Sequence, residues 1–157
     1  MIYFLISAAI FGLDFIVKKN VEDNLEYNKP EKKYNDKIIV RKVYNRGGAL
    51  NALDKNQEFV AGFSAGLTCS IIMAQLFLIG KKGFHFLKFA LSLVIGGACS
   101  NVLDRIKRKY VVDYFSFNTK VRKLKDIVFN ISDMFIFLGT AFVTIFMMFQ
   151  GEKKTAS

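Results

Sequence analysis

The chain has 157 residues, 52% of them hydrophobic with 17 Phe, a mean hydropathy of +0.27, a single proline and a formal charge of +10. That is the length of one domain, and its apolar content excludes a disordered or collagen-like chain. So much positive charge on a soluble protein would suggest nucleic acid. Here long uncharged runs alternate with basic ones, which is the pattern of a membrane protein with basic loops and no nucleic-acid partner.

A bilayer core of about 30 Å asks for about 20 residues of helix. The first apolar block, Met1–Val17, is short and carries Asp14; with no basic residue before it and no small-residue cleavage site after it, it is expected to be a retained helix rather than a secretory signal. The loop from Lys18 to Glu58 holds Pro30 and the β-branched run Lys37–Asn45, which predicts a short strand and a small sheet outside the membrane. Phe59–Gly80 has no charge, and Lys81–Gly83 links it to Phe84–Leu103, which carries only Lys88. A second large loop, Asp104–Asp126, leads to Ile127–Phe149, which carries Asp133. None of these blocks has the polar face of a soluble helix. The expected fold is an all-α membrane protein, a single integral domain over 1–157, with four transmembrane helices at about 1–17, 59–80, 84–103 and 127–149 and a small β element in the first large loop. Cys69 and Cys99 lie inside apolar runs and offer neither a disulfide framework nor a zinc cluster.

Four spans put both termini on one face and both large loops on the other. The large-loop face carries 10 Lys and Arg in Lys18–Glu58 and 8 in Asp104–Asp126, against 5 on the other face. Positive-inside counting therefore places the large loops in the cytoplasm, although the rule weakens where loops fold as small domains.

Ionisable groups within a span cost about 2.5–3.5 kcal/mol each on insertion scales, so each needs a partner or a task. Asp14 and Lys18, four apart, share a helical face and form a candidate ion pair. Asn101 and Asp104 stack at the end of the third block, where Gly96, Gly97, Ala98 and Ser100 permit close helix packing; Asn130 and Asp133 repeat the spacing at the start of the fourth. Between them, Asp113 sits alone among aliphatic and aromatic residues. The only histidine, His85, lies at the opposite face, which removes Ser–His, Cys–His and His-based metal schemes. Three readings stay open on spacing alone: hydrogen bonding between helices, an oxygen-only metal site built from Asp113, Asp133, Asn101 and Asn130, or two carboxylates sharing one proton.

In these motifs the chain resembles lipoprotein signal peptidase, the signal peptidase II family of bacterial intramembrane aspartic proteases. The resemblance rests on Asp14-x-x-x-Lys18, Asn45-Arg46-Gly47-Gly48-Ala49, Gly97-x-x-x-Asn101-x-x-Asp104-Arg105, Val111-Val112-Asp113 and Phe129-Asn130-x-x-Asp133, in that order. It implies removal of the signal peptide from a prolipoprotein just before a cysteine carrying diacylglycerol, at the outer face of the cytoplasmic membrane. It also implies a catalytic dyad of Asp113 and Asp133, with Asn45, Gly47, Asn101, Arg105 and Asn130 orienting the dyad or the substrate, and Asp14, Lys18 and Asp104 as structural polar residues. The expected partners are diacylglyceryl prolipoproteins and membrane phospholipids, and no metal or cofactor and a monomeric state are expected; the basic residues Lys120, Arg122, Lys123 and Lys125, which the resemblance does not explain, are either a solvated loop surface or a seat for anionic lipid headgroups. Termini in the cytoplasm, which the resemblance also implies, contradict the charge count. Ser100, Ser132 and Leu50-Asn51 depart from the family's usual residues, and the alternative is a catalytically inactive lipid- or lipoprotein-binding protein on the same scaffold.

Overall fold

The computed structural model describes residues 1–33, 35–48, 53–121 and 125–155; Ala49, the Leu50-Asn51 departure, and Arg122 and Lys123 of the basic loop lie outside the described residues. In chain order the elements are α1 (Ile2–Asn24), β1 (Glu31–Lys33), β2 (Ile38–Asn45), α2 (Gln57–Ile79), α3 (His85–Arg108), β3 (Val111–Phe117) and α4 (Ile131–Thr155).

The helices are built inside out relative to a soluble bundle. The buried face of α1 is Ser7, Ile10, Asp14, Lys18 and Val21, a stripe at helical spacing with three polar members, while Leu5, Leu13, Phe15 and Ile16 are exposed. Helix α2 buries Val60, Thr68 and Gln75 and exposes Phe59, Phe63, Leu67, Met73 and Phe77. Apolar side chains outward and polar ones inward is the arrangement hydrocarbon solvent favours. The axis of the bundle is α3, which packs on α1, α2 and α4. Of its apolar stretch 56% is buried, against 11% for α2 and for α4.

Two glycines on α3 set the helix spacing. A Cβ on Gly96 would stand 2.8 Å from Ser7 O and from Ile10 Cβ of α1, and one on Gly97 would stand 2.5 Å from Ser132 O of α4. Without side chains there, α1 and α4 approach α3 closely enough for their polar groups to meet.

Among the described residues three helices, α2, α3 and α4, are long and apolar enough to cross a membrane. The expected first span differs from these: α1 is long enough, about 34 Å for its 23 residues, but Asp14, Lys18, Lys19, Glu22 and Asp23 occupy its second half. Two other boundaries move. Helix α3 continues past the span end at Leu103 to Arg108, with Asn101, Asp104 and Arg105 on one helix as their spacing implies, and it stops where Lys109 adopts a left-handed conformation at φ 66°. Helix α4 begins at Ile131 rather than Ile127.

The predicted strand at Lys37–Asn45 is β2, but the sheet is not confined to the first loop. It has three antiparallel strands in the order β1-β2-β3, and the third comes from the second large loop, with Val43 opposite Asp113 and Asn45 opposite Val111. A register irregularity between Val40 and Val43 lies beside that pairing. Beyond β3, Phe115 bridges to Phe129, with Phe129 N donating to Phe115 O at 2.7 Å and Tyr114 N to Phe129 O at 2.9 Å. The sheet thereby carries the chain to the start of α4, next to Asp113.

Candidate active site

Five elements deliver the site. Asn45 ends β2, Asp113 lies in β3, Asn101 lies in the last two turns of α3, Asn130 and Asp133 open α4, and Asp14 and Lys18 face inward from α1. The Asn-x-x-Asp spacing of α4 has a physical reason. Asn130 is the residue before the helix; its Oδ1 accepts from Asp133 N at 2.9 Å, and Asp133 Oδ2 accepts from Asn130 N at 3.1 Å. This is a reciprocal capping box, with an acid in the first turn where the helix dipole favours it.

Three amides hold the two carboxylates. Asn130 Nδ2 donates to Asp113 Oδ1 at 2.7 Å, and Asn45 Nδ2 donates to Asp113 Oδ2 at 3.1 Å. Asn101 Nδ2 donates to Asp133 Oδ1 at 2.9 Å, while its Oδ1 accepts from Asn130 Nδ2 at 3.2 Å. Asn130 therefore contacts both acids, one through its side chain and one through its backbone. Asp113 and Asn130 are buried. Burial, reinforced by the neighbouring Asp133 charge, pushes the Asp113 carboxyl up to about 7, against the opposing amide bonds from Asn45 and Asn130.

Behind the acids lies a buried charge cluster. Lys18 Nζ, 1% exposed, lies 2.7 Å from Asp14 Oδ2 and 3.0 Å from Asp104 Oδ2, and donates to Asn101 Oδ1 at 2.8 Å. Because Lys18 occupies the Asn101 carbonyl oxygen, the Asn101 amide group is left facing Asp133. Asp14 also accepts from Ser100 Oγ at 2.6 Å and from Tyr114 OH and Ser132 N, each at 3.3 Å. The Asp14–Lys18 pair expected from spacing is present, and it is the centre of a network across α1, α3, β3 and α4.

Arg105 is brought to the site but bonds neither carboxylate. Its guanidinium donates to Asn101 O at 3.4 Å and to Gly47 O at 3.2 Å, and Gly47 N in turn donates to Asn45 Oδ1 at 3.1 Å. It fixes the turn after β2 that aims Asn45. His85 stays apart, bonded through Nδ1 to Tyr3 OH at 2.8 Å. Among the described residues no group of His, Cys, Asp and Glu has the arrangement to hold a metal ion. Sequence reasoning missed the contacts of Ser100, Tyr114 and Ser132; each is the immediate neighbour of a site residue, and the two serines stand out in the sequence only as departures from a pattern. Chemically, two amide-supported carboxylates, one buried with its pKa raised to about 7 and one half-buried, offer a proton donor and a proton acceptor near neutral pH.

The family model described as Signal peptidase (SPase) II matches residues 6–149. A lipoprotein signal peptidase of Clostridioides difficile (strain 630) is 33% identical over 154 residues, covering 98% of this chain and 99% of its own length. A lipoprotein signal peptidase of Caldicellulosiruptor bescii is 31% identical, covering 98% of this chain and 95% of its own. A solved structure described as a bacterial membrane enzyme superposes with a TM-score of 0.82 at 21% identity, over 97% of this chain and 90% of the other, and so matches in fold.

Proposed function

The chain belongs to the signal peptidase II family of bacterial membrane proteases, and from that premise we propose that it removes the signal peptide from diacylglyceryl-modified prolipoproteins, just before the lipidated cysteine, with Asp113 and Asp133 as its catalytic dyad. The observation that carries the assignment is Asn130, which bonds both acids at once. The pair shares one proton. The ionised carboxylate takes a proton from water as the water oxygen attacks the scissile carbonyl, and the protonated one donates to the carbonyl oxygen. Collapse of the tetrahedral intermediate breaks the C–N bond: the proton taken from water passes to the leaving amine, and the former carbonyl oxygen returns its proton to the dyad as the carboxyl product forms, which restores the singly protonated pair. Asn45, Asn101 and Asn130 hold the acids in place, Arg105 and Gly47 hold Asn45, and the Asp14–Lys18–Asp104 cluster supports Asn101. The water, the carboxylates and the substrate carbonyl supply all the reaction needs, so no cofactor takes part.

In this reading α1 is the fourth span. Its charges inside the bundle answer one another, which is how a charged helix is accommodated in a membrane. Both termini then face the cytoplasm and the sheet lies outside, where an exported precursor arrives in the inner membrane. The positive-inside count loses weight because several of its cations are committed to the fold. Lys18 is buried, Lys42 Nζ donates to Glu22 O at 2.9 Å, Arg41 donates to Asp126 O at 3.0 Å, and Arg108 pairs with Glu22 at 2.7 Å. The protein works as a monomer, and exposed cations such as Lys120 face the anionic headgroups of the surrounding phospholipid.

Purified protein in detergent is expected to cleave a diacylglyceryl-modified prolipoprotein and to leave the unlipidated precursor intact; equal cleavage of both, or of neither, overturns the assignment. A cysteine placed at Lys120 is expected to react with reagents confined to the cell exterior. Reaction only with reagents that reach the cytoplasm would reverse the topology.

A further inference from the structure

Tyr114 follows Asp113 on β3, so its side chain points to the opposite face of the strand. It is 6% exposed and packs with Val21 of α1 and Val112, with Ile131 against the same cluster. Its hydroxyl accepts from Ile131 N at 3.0 Å and donates to Asp14 Oδ1 at 3.3 Å. Ile131 N is the first amide of α4, one of the donors that a helix start leaves without an intrahelical partner. The capping box satisfies the Asp133 amide, Asp14 takes the Ser132 amide, and Tyr114 takes the Ile131 amide.

We infer that Tyr114 is a positioning residue for the dyad: through one hydroxyl it fixes the strand that bears Asp113 to the first turn of the helix that bears Asp133. Asp14 completes the clamp from α1. It accepts from Ser100, Tyr114 and Ser132, the direct neighbours of Asn101, Asp113 and Asp133. Three elements of the site, α3, β3 and α4, are thus each registered on a common carboxylate one residue away from a group of the dyad or its support. Burial and the adjacent Asp14 charge push the phenol far above its ordinary range, so it stays a donor at every pH the enzyme meets.

The inference rests on the dyad reading, and its test separates the two. Tyr114→Phe keeps the ring in the core and removes only the hydroxyl. Cleavage of the lipidated precursor by the full-length protein in detergent is expected to show kcat reduced by about 10–100-fold with KM within about twofold, because a displacement on the order of 1 Å between reacting groups has that cost. The alkaline limb of the pH–rate profile is expected to move to lower pH. The groups facing Asp113 are Asp133 from α4, Lys18 from α1 and Arg105 from α3; as Asp133 drifts away, its repulsion weakens and the upper pKa of the pair falls. Tyr110→Phe is the control: Tyr110 OH bonds Glu22 at 3.3 Å and neither acid of the dyad, and its loss should leave kcat and the pH limb unchanged. Asp113→Asn is measured alongside. If it retains turnover, the dyad reading fails; if it is inactive while Tyr114→Phe keeps wild-type kcat and pH limb, only the inference on Tyr114 fails. A Tyr114→Phe protein that does not fold would assign the hydroxyl to stability alone and likewise overturn the inference.

Discussion

Two lysines are buried against opposite ends of α3, and the molecule treats them differently. Lys18, at the sheet end, meets two carboxylates, a serine hydroxyl and an asparagine carbonyl. Lys88, near the other end and 3% exposed, donates to the Lys81 carbonyl at 2.5 Å and has no carboxylate partner among the described residues. Its neighbour Gln75 is fully buried, donates to Lys88 O at 3.2 Å and leaves Oε1 without a partner among the described residues. A cation answered by a backbone carbonyl near a helix end tethers a short turn through one charge-assisted hydrogen bond. One answered by two acids, Asp14 on α1 and Asp104 on α3, is linked through Asp14 to polar groups of β3 and α4, and that is the end at which Asp113 and Asp133 lie. What separates the two buried lysines is thus whether their partners are acids that in turn gather polar groups from further elements.

The largest effect that tests this contrast is on rate. Asp113→Asn and Asp133→Asn are each expected to reduce cleavage by about 10³-fold or more, since an amide can neither activate water nor share the proton. The fold should persist, because an Asn at 133 still accepts from Asn130 N. Gln75→Leu at the other end should leave the rate unchanged in the same assay. Next comes stability. Lys18→Met strands Asp14 and Asp104 in the interior and is expected to cost about 3–5 kcal/mol, whereas Lys88→Met gives up one hydrogen bond to a backbone carbonyl and should cost about 1–2 kcal/mol; denaturant unfolding in detergent measures both, and equal losses would erase the distinction.

Smaller effects follow from packing and from pH. Gly97→Ala forces a methyl against Ser132 O and is expected to cost about 1–3 kcal/mol with a loss of activity. Gly62→Ala, with nothing within 4 Å of the added methyl, should instead be neutral or slightly stabilising, by at most about 0.5–1 kcal/mol. The smallest effect is the pH dependence: with Asp113 raised to about 7, the shared proton is present below that pH and lost above it. Activity should therefore fall as pH rises through about 7, and a flat rate from pH 6 to roughly pH 9 would contradict the shared-proton reading.

Much of this organisation is legible in the order of the amino acids. The apolar runs of α2, α3 and α4 show because hydrocarbon demands length and apolarity, and the β-branched run of β2 shows by residue type. Val111–Phe117 does not read as a strand because it is buried on both faces, so its sequence does not alternate, and its partner lies far away in the chain. Charge marks where the third helix leaves the bilayer, at Leu103, and the Asn101–Asp104 spacing carries the helix on through Arg105; the backbone winds on one turn further, to Arg108. At the site, two Asn-x-x-Asp spacings and an i,i+4 ion pair point to the residues that the fold brings together. That Asp14 gathers Ser100, Tyr114 and Ser132 has no local signal, since those contacts depend on how closely Gly96 and Gly97 let the helices approach.

The sheet has a consequence for biosynthesis. Asn45 and Asp113 are 68 residues apart in the chain and face each other only because β2 pairs with β3. As the polypeptide emerges, β1 and β2 are made first, then wait while α2 and α3 are threaded into the bilayer before their third strand exists. Asp133 arrives later still. A nascent chain ending before α4 therefore has the strands β1, β2 and β3 but lacks Asp133, Asn130 and their bonds to Asn101 and Asp113, so the network around the two acids is the last feature the molecule completes.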